Sequence, residues 1–311
     1  MFDQEVAGLL RTLDETFPPV EHMDPLDARR AVAARVQPVT NLDDVRETHE
    51  VQVPTATGPI GARIYLPHPE DRADPAYGIV FAHGGGFVLC DLHSHDSFCR
   101  AMARGTGAVV ISVDYRRAPE HRAPTAAEDV YAATVWAAEH LRDYGVDPSR
   151  LLVAGDSAGG NLAAVTALLA RERGGPALAG QVLLYPVIDP ACASPSYATY
   201  GSGYYLTTGA MRWYWQQYLG GPLPEPAYLV APLRAPSLRG LPAAVVVVGT
   251  WDPLHSEVVA YARALGGADV PVVLREYPDL FHGFITIGPL KAAASAREIL
   301  WSDIRKLVGV S

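Results

Sequence analysis

Ser157 stands in the segment Gly155-Asp156-Ser157-Ala158-Gly159. A serine hydroxyl is a weak nucleophile until a neighbouring base takes its proton. A tight turn with small residues two places to either side lifts it clear of the backbone for that purpose. The segment follows an apolar run at 151–154 and opens a helix-period stretch at 158–171, the strand–turn–helix setting that a nucleophile elbow requires. The helix start also aims free N–H groups at the serine, where they favour developing negative charge. A glycine-rich turn with an N-capping serine would share these letters without the chemistry.

A second segment, His83-Gly84-Gly85-Gly86-Phe87, follows the apolar run 78–82. Three glycines let a backbone approach a ligand closely and turn its N–H groups inward. Attack on an acyl carbon creates an oxyanion that needs such donors, and losing one typically costs about 3–4 kcal/mol in the barrier. The N–H groups of Gly85, Gly86 and Ala158 are assigned to that role. A phosphate-cradling loop is the competing reading, but neither the Lys-Ser/Thr ending of a nucleotide loop nor the dinucleotide-binding glycine spacing is present.

A serine nucleophile needs a histidine base and an acid to orient it. On a strand–turn–helix elbow of this kind the chain order is serine, acid, histidine, and only His255 and His282 follow Ser157. His282 lies after the strand-like run 271–277 and is the expected base; His255 lies too close in sequence to the expected acid to face it. That acid is Asp252, beyond the run 244–248. Asp189, at the end of the neighbouring run, is its rival, and Asp279 is expected to shape a turn. Asp156 is expected to be structural, bonding backbone near the glycine loop. Cys90, His93, His95 and Cys99 form a C-x2-H-x-H-x3-C pattern that resembles a metal site. The segment leads into a helix, expected at 94–106 with Ser94 or Asp96 as its cap, which would scatter the four side chains. No metal or cofactor is expected.

The elements that must hold these residues follow one rhythm. Short apolar runs at 78–82, 108–113, 151–154, 182–185 and 244–248 suit parallel strands buried on both faces. Helix-period segments at 94–106, 125–142, 158–171, 256–266 and 290–307 alternate with them. The alternation implies an α/β fold, an open and mostly parallel sheet with helices on both faces, whose ligand site lies off the carboxyl ends of the strands. Two alternating segments, 47–54 and 60–66, precede it as strands of a half-exposed sheet. About sixty residues interrupt the rhythm after Tyr185, too many for a structureless loop. They carry an aromatic-rich helix at 208–219. With the helical residues 1–45, this insertion (191–225) reads as a cap over the site, and Tyr204, Tyr205 and Trp213 are its expected pocket lining. The plainer alternative is that these aromatics pack an extra helix on the core.

Composition narrows the partners. The net charge of -9 over 311 residues disfavours nucleic acid and anionic lipid, which need a basic face. Hydrophobic residues at 49% allow a large core. Three cysteines, Cys90, Cys99 and Cys192, do not make a disulfide framework. No basic-then-apolar leader opens the chain and no run approaches the length of a membrane span, so a cytoplasmic protein is expected.

The stretches His83–Phe87, Asp114-Tyr115-Arg116-Arg117-Ala118-Pro119-Glu120, Gly155–Gly160, Asp252-Pro253-Leu254 and His282-Gly283-Phe284 together resemble those of the hormone-sensitive-lipase-like esterases. The likeness runs from about residue 45 to the C-terminus. It implies an α/β-hydrolase fold with an eight-stranded, mostly parallel sheet and a helical cap: cap at 1–45 and 191–225, core at 46–190 and 226–311. It also implies carboxylesterase activity on short- to medium-chain esters, no metal or cofactor, and a homodimer in many members. Matched residue by residue, it implies the triad Ser157, Asp252 and His282 and the hole Gly85, Gly86 and Ala158. The acid motif departs from the family pattern, reading Asp252-Pro253-Leu254-His255-Ser256-Glu257 where a second aspartate is common. Two alternatives remain open: a non-catalytic small-molecule receptor, as in the gibberellin receptor that resembles this family but lacks the histidine, and an amidase or peptidase.

Overall fold

A computed structural model describes residues 4–287 and 290–310. The chain begins with two helices, α1 (Gln4–Thr16) and α2 (Pro25–Ala33). Pro18 and Pro19 follow the end of α1, whereas Pro25 occupies the first turn of α2, where its missing N–H costs nothing, and the Asp24 carboxylate accepts the Leu26 N–H at 2.9 Å. The strands are β1 (Glu47–Val53), β2 (Ile60–Leu66), β3 (Gly78–Ala82), β4 (Val109–Val113), β5 (Leu151–Asp156), β6 (Gly180–Leu184), β7 (Ala244–Trp251) and β8 (Val272–Phe281). They form one sheet in the order β1-β2-β4-β3-β5-β6-β7-β8. β1 and β2 are antiparallel entrants, and every pairing from β4 to β8 is parallel. β3 to β6 are buried at every position, which is why their sequences are continuous apolar runs rather than alternating ones.

The crossovers carry α3 (Asp96–Thr106), α4 (Thr125–His140), α5 (Ala158–Glu172) and α8 (His255–Gly267), and α9 (Lys291–Leu307) follows β8. The long insertion after β6 holds α6 (Pro195–Tyr200) and α7 (Thr208–Leu219). Two expectations need correcting. β8 runs to Phe281, beyond the expected 271–277, so His282 opens the turn immediately after the strand. Neither Ser94 nor Asp96 caps α3, whose N-cap is His95. The Ser94 hydroxyl is taken by the turn at Asp91, accepting the Asp91 N–H at 2.9 Å and donating to its carbonyl at 2.7 Å. The Asp96 carboxylate is drawn to Arg63, Arg100 and the Tyr65 phenol.

Candidate active site

Ser157 occupies the one-residue turn between β5 and α5, with φ 55° and ψ −117°. That backbone is costly for a residue with a side chain and persists only where its surroundings enforce it. Here the Ser157 N–H donates to Leu184 at 2.9 Å, and its carbonyl accepts the N–H groups of Asn161 and Val187, each at 3.1 Å. The glycine two residues later is required by contact: a β-carbon on Gly159 would overlap the carbonyl oxygen of Ala82 at the end of β3. The helix therefore packs directly on the strand that leads into the glycine loop.

His282 places Nε2 at 2.9 Å from the Ser157 Oγ and Nδ1 at 2.8 Å from Asp252 Oδ2. An ionised carboxylate only accepts hydrogen bonds. Nδ1 therefore carries the proton, and the Nε2 lone pair faces the serine hydroxyl. The second Asp252 oxygen accepts the Leu254 N–H at 2.8 Å, so the acid is held from both sides and wholly buried. The Tyr185 ring lies edge-on to the imidazole at 4.9 Å. These residues sit at the carboxyl ends of β5 and β7 and just beyond β8. The rival candidates fall elsewhere. Asp189 accepts the Ala191 N–H at 3.1 Å and lies 3.7 Å from Arg234. Asp279, expected in a turn, lies inside β8 instead; its φ of 59° falls where the pairing with β7 shifts register, and its N–H donates to the Thr250 hydroxyl at 3.0 Å. His255 pairs with Glu276 at 2.8 Å.

The glycine loop is aimed by Asp156, whose Oδ1 accepts the Gly84 N–H at 2.8 Å. His95 Nε2 lies 3.2 Å from the same oxygen, and its Nδ1 lies 3.0 Å from the Ser94 hydroxyl. His83 stacks on Tyr115 at 4.2 Å, and burial lowers its pKa to about 3, so it is neutral. Among the described residues, the N–H groups of Gly85, Gly86 and Ala158 donate to no other group. Gly85 and Gly86 line the same cavity as Ser157, and Ala158 is the first residue of α5. Gly86 has φ 61°, and a β-carbon there would strike the Tyr214 ring of α7, so the glycine loop and the insertion are in intimate contact.

The cavity measures about 220 Å³. Phe17, just beyond α1, and Val32 of α2 reach it from the N-terminal segment, and Leu206, Met211 and Tyr214 from the insertion. Of the expected lining residues only Tyr205 faces it. Tyr204 instead packs on Tyr200 and Trp251, and Trp213 turns off the cavity face against the side of Tyr214. The reason is helical period: Met211 and Tyr214, three apart, share a face that Trp213 does not. Nothing in the sequence singled out Phe17 or Val32. Among the described residues no group of three or more His, Cys, Asp or Glu is placed to hold a metal ion, and Cys90 and His95 of the C-x2-H-x-H-x3-C pattern face the cavity. None of the described helices is long and apolar enough to cross a membrane.

Residues 79–286 match the family described as alpha/beta hydrolase fold. The chain belongs to that family. Among its relatives, the carboxylesterase NlhH of Mycobacterium tuberculosis is 35% identical over 94% of this chain and 92% of its own length. The carboxylic ester hydrolase LipN of the same organism is 44% identical over 79% of this chain, and the match spans 66% of LipN. Among solved structures, the hyperthermophilic esterase from Pyrobaculum calidifontis superposes with a TM-score of 0.90 at 35% identity, covering 98% of each chain. The thermostable esterase from Pseudomonas putida gives 0.89 at 34% identity, covering 100% of this chain and 98% of that one.

Proposed function

We propose that the chain is a serine carboxylesterase that cleaves short- to medium-chain esters through an acyl-enzyme. Carboxylic-ester hydrolysis as the class of chemistry rests on relatives that carry that name and on structural neighbours that are esterases. The finer reading rests on one observation, the hydrogen-bonded line from Ser157 through His282 to Asp252 beside a loop of unengaged N–H donors. His282 takes the Ser157 proton as the oxygen attacks the ester carbonyl. The oxyanion is held by Gly85, Gly86 and Ala158, a placement that supplies charge stabilisation where charge develops. Asp252 stabilises the imidazolium, which then protonates the departing alcohol. Water, deprotonated by the same histidine, releases the acid.

The cavity is smaller than the roughly 300–1,000 Å³ of sites for drug-sized ligands, which favours short acyl groups. Residues 4–45 and 191–225 serve as its cap; the first three residues of the expected 1–45 lie outside the described residues. Three free cysteines support a reducing, cytoplasmic setting. β8 is an edge strand and offers a pairing surface for a homodimer, which sizing chromatography tests. The reading itself is tested with p-nitrophenyl esters of graded acyl length. Turnover should peak at short or medium chains and fall about 10⁵- to 10⁶-fold in Ser157→Ala. A folded protein inactive on every ester would point instead to a small-molecule receptor, and preference for an amide over its ester analogue to an amidase.

A further inference from the structure

The cavity over Ser157 is mostly apolar, so each polar group on its wall should have an occupation. Most do. The Ser94 hydroxyl bonds Asp91 and His95, and Cys90 shares that hydroxyl. Asp156 and His95 bond each other. The Thr286 hydroxyl bonds Gly283 and lies 3.2 Å from the Tyr185 phenol. Two groups outside the catalytic apparatus do not. Among the described residues, the phenol hydroxyls of Tyr205 and Tyr214 make no hydrogen bond, neither hydroxyl is fully buried, and both residues line the cavity.

Both rings are held in place. Tyr214 is 6% exposed, and its ring lies against Gly86. Tyr205 has φ 71°, a left-handed backbone that is costly for an aromatic residue and gathers at ligand sites. Its N–H donates to Asp14 of α1 at 2.8 Å, and Phe17 meets its ring edge-on at 5.1 Å. Burial raises both phenols above their ordinary pKa, and Tyr205 adds to the effect on Tyr214. Each therefore keeps its proton and is a donor. A ligand that covers such a donor and displaces its water loses free energy unless it answers the donor.

We infer that the two phenols are a recognition pair for a second oxygen acceptor on the substrate, so that the preferred esters carry a keto or ether oxygen in the arm that enters this cavity. The inference rests on the carboxylesterase reading above and names the substrate class within it. A plain alkyl arm would leave both donors unanswered, the situation in which a hydrogen-bonding pocket discriminates most strongly.

Two isosteric pairs test it: ethyl 4-oxopentanoate against ethyl 4-methylpentanoate for the acyl arm, and 2-methoxyethyl acetate against butyl acetate for the alcohol arm. The readout is the ratio of kcat/KM within each pair, followed by pH-stat and divided by the ratio of the alkaline hydrolysis rates. In the wild type one pair should favour the oxygenated ester about ten-fold, and Tyr205→Phe and Tyr214→Phe should each lower that ratio about five-fold. The two variants lie on different segments, so a folding defect in one leaves the other to decide. Ratios near one in both pairs, or a preference that neither variant alters, would overturn the inference while leaving an active esterase. Inactivity of the wild type on all four esters would overturn the carboxylesterase reading and this inference with it.

Discussion

The floor of the site and its cover are built by different physics. The floor is made of strand ends and one helix start, where backbone groups fix one another: the Ser157 carbonyl accepts two N–H groups, the Asp252 carboxylate is held on both sides, and Gly159 lies on the Ala82 carbonyl. The cover is made of side chains. Phe17, Val32, Met211 and Tyr214 reach the cavity from segments far apart in sequence. Polar ties between side chains and loops pin these segments, notably Arg29, which bonds the Val88 carbonyl at 2.7 Å, the Ala118 carbonyl and Glu120, and Asp14, which accepts the Tyr205 N–H. A floor of this kind has one working geometry. A cover of this kind can be repacked. Substitutions in the floor should therefore destroy chemistry or folding, and those in the cover should redirect substrate choice.

The largest expected effect is in the floor. Asp252→Asn removes the acceptor that fixes the imidazole tautomer, and kcat should fall about 10⁴-fold with KM little changed; steady-state kinetics on one short ester checks it. Gly159→Ala drives a methyl group into the Ala82 carbonyl, and chemical denaturation should show a loss of about 3 kcal/mol or more. A stable, active Gly159→Ala protein would break the comparison, because it would mean that the floor can yield.

Glu257 sharpens it through pH. It is buried beneath the acid loop, where one carboxylate oxygen accepts the Ile188 N–H at 2.8 Å. Burial pushes its pKa up from 4.5 to about 8. The folded chain thus holds a proton that the unfolded chain releases. The stability from this group is present in full below pH 4.5. It shrinks as the pH rises, by about 1.4 kcal/mol per pH unit, and is gone above about pH 8. Denaturation midpoints should decline across that window in the wild type and decline less in Glu257→Gln. An identical decline in both would assign the slope to other groups.

The smallest effect is expected in the cover. Arg29→Ala frees α2 from the core and should cost about 1–2 kcal/mol, since the partners are carbonyls and a half-exposed carboxylate. It should raise KM several-fold with kcat nearly intact. A collapse of kcat instead would show that the cover takes part in the chemistry.

The same division governs what the sequence reveals. The elbow and the glycine loop obey local steric rules, so Gly155–Gly159 and His83–Phe87 announce their turns in the letters themselves. The strands β3 to β7 are legible because burial on both faces leaves continuous apolar runs. The insertion helix was legible to the residue, at Thr208–Leu219. Its rotation was not, because an aromatic stripe does not say which face turns inward, and Tyr214 rather than Trp213 reaches the cavity. Phe17 and Val32 were illegible for a stronger reason: they meet the site only through tertiary docking of two short helices. His95 appeared first as part of a metal-like pattern and stands instead beside Asp156, behind the glycine loop.

The central claim is that Ser157 is the nucleophile of a triad with His282 and Asp252. The most direct measurement is covalent labelling with an alkyl p-nitrophenyl phosphonate, with the adduct located by peptide mass spectrometry. The account predicts one adduct per chain, on Ser157, formed together with loss of esterase activity and slowed at least a thousand-fold in His282→Ala. An adduct on another residue that accompanies the loss of activity, or full activity with Ser157 modified, would contradict it.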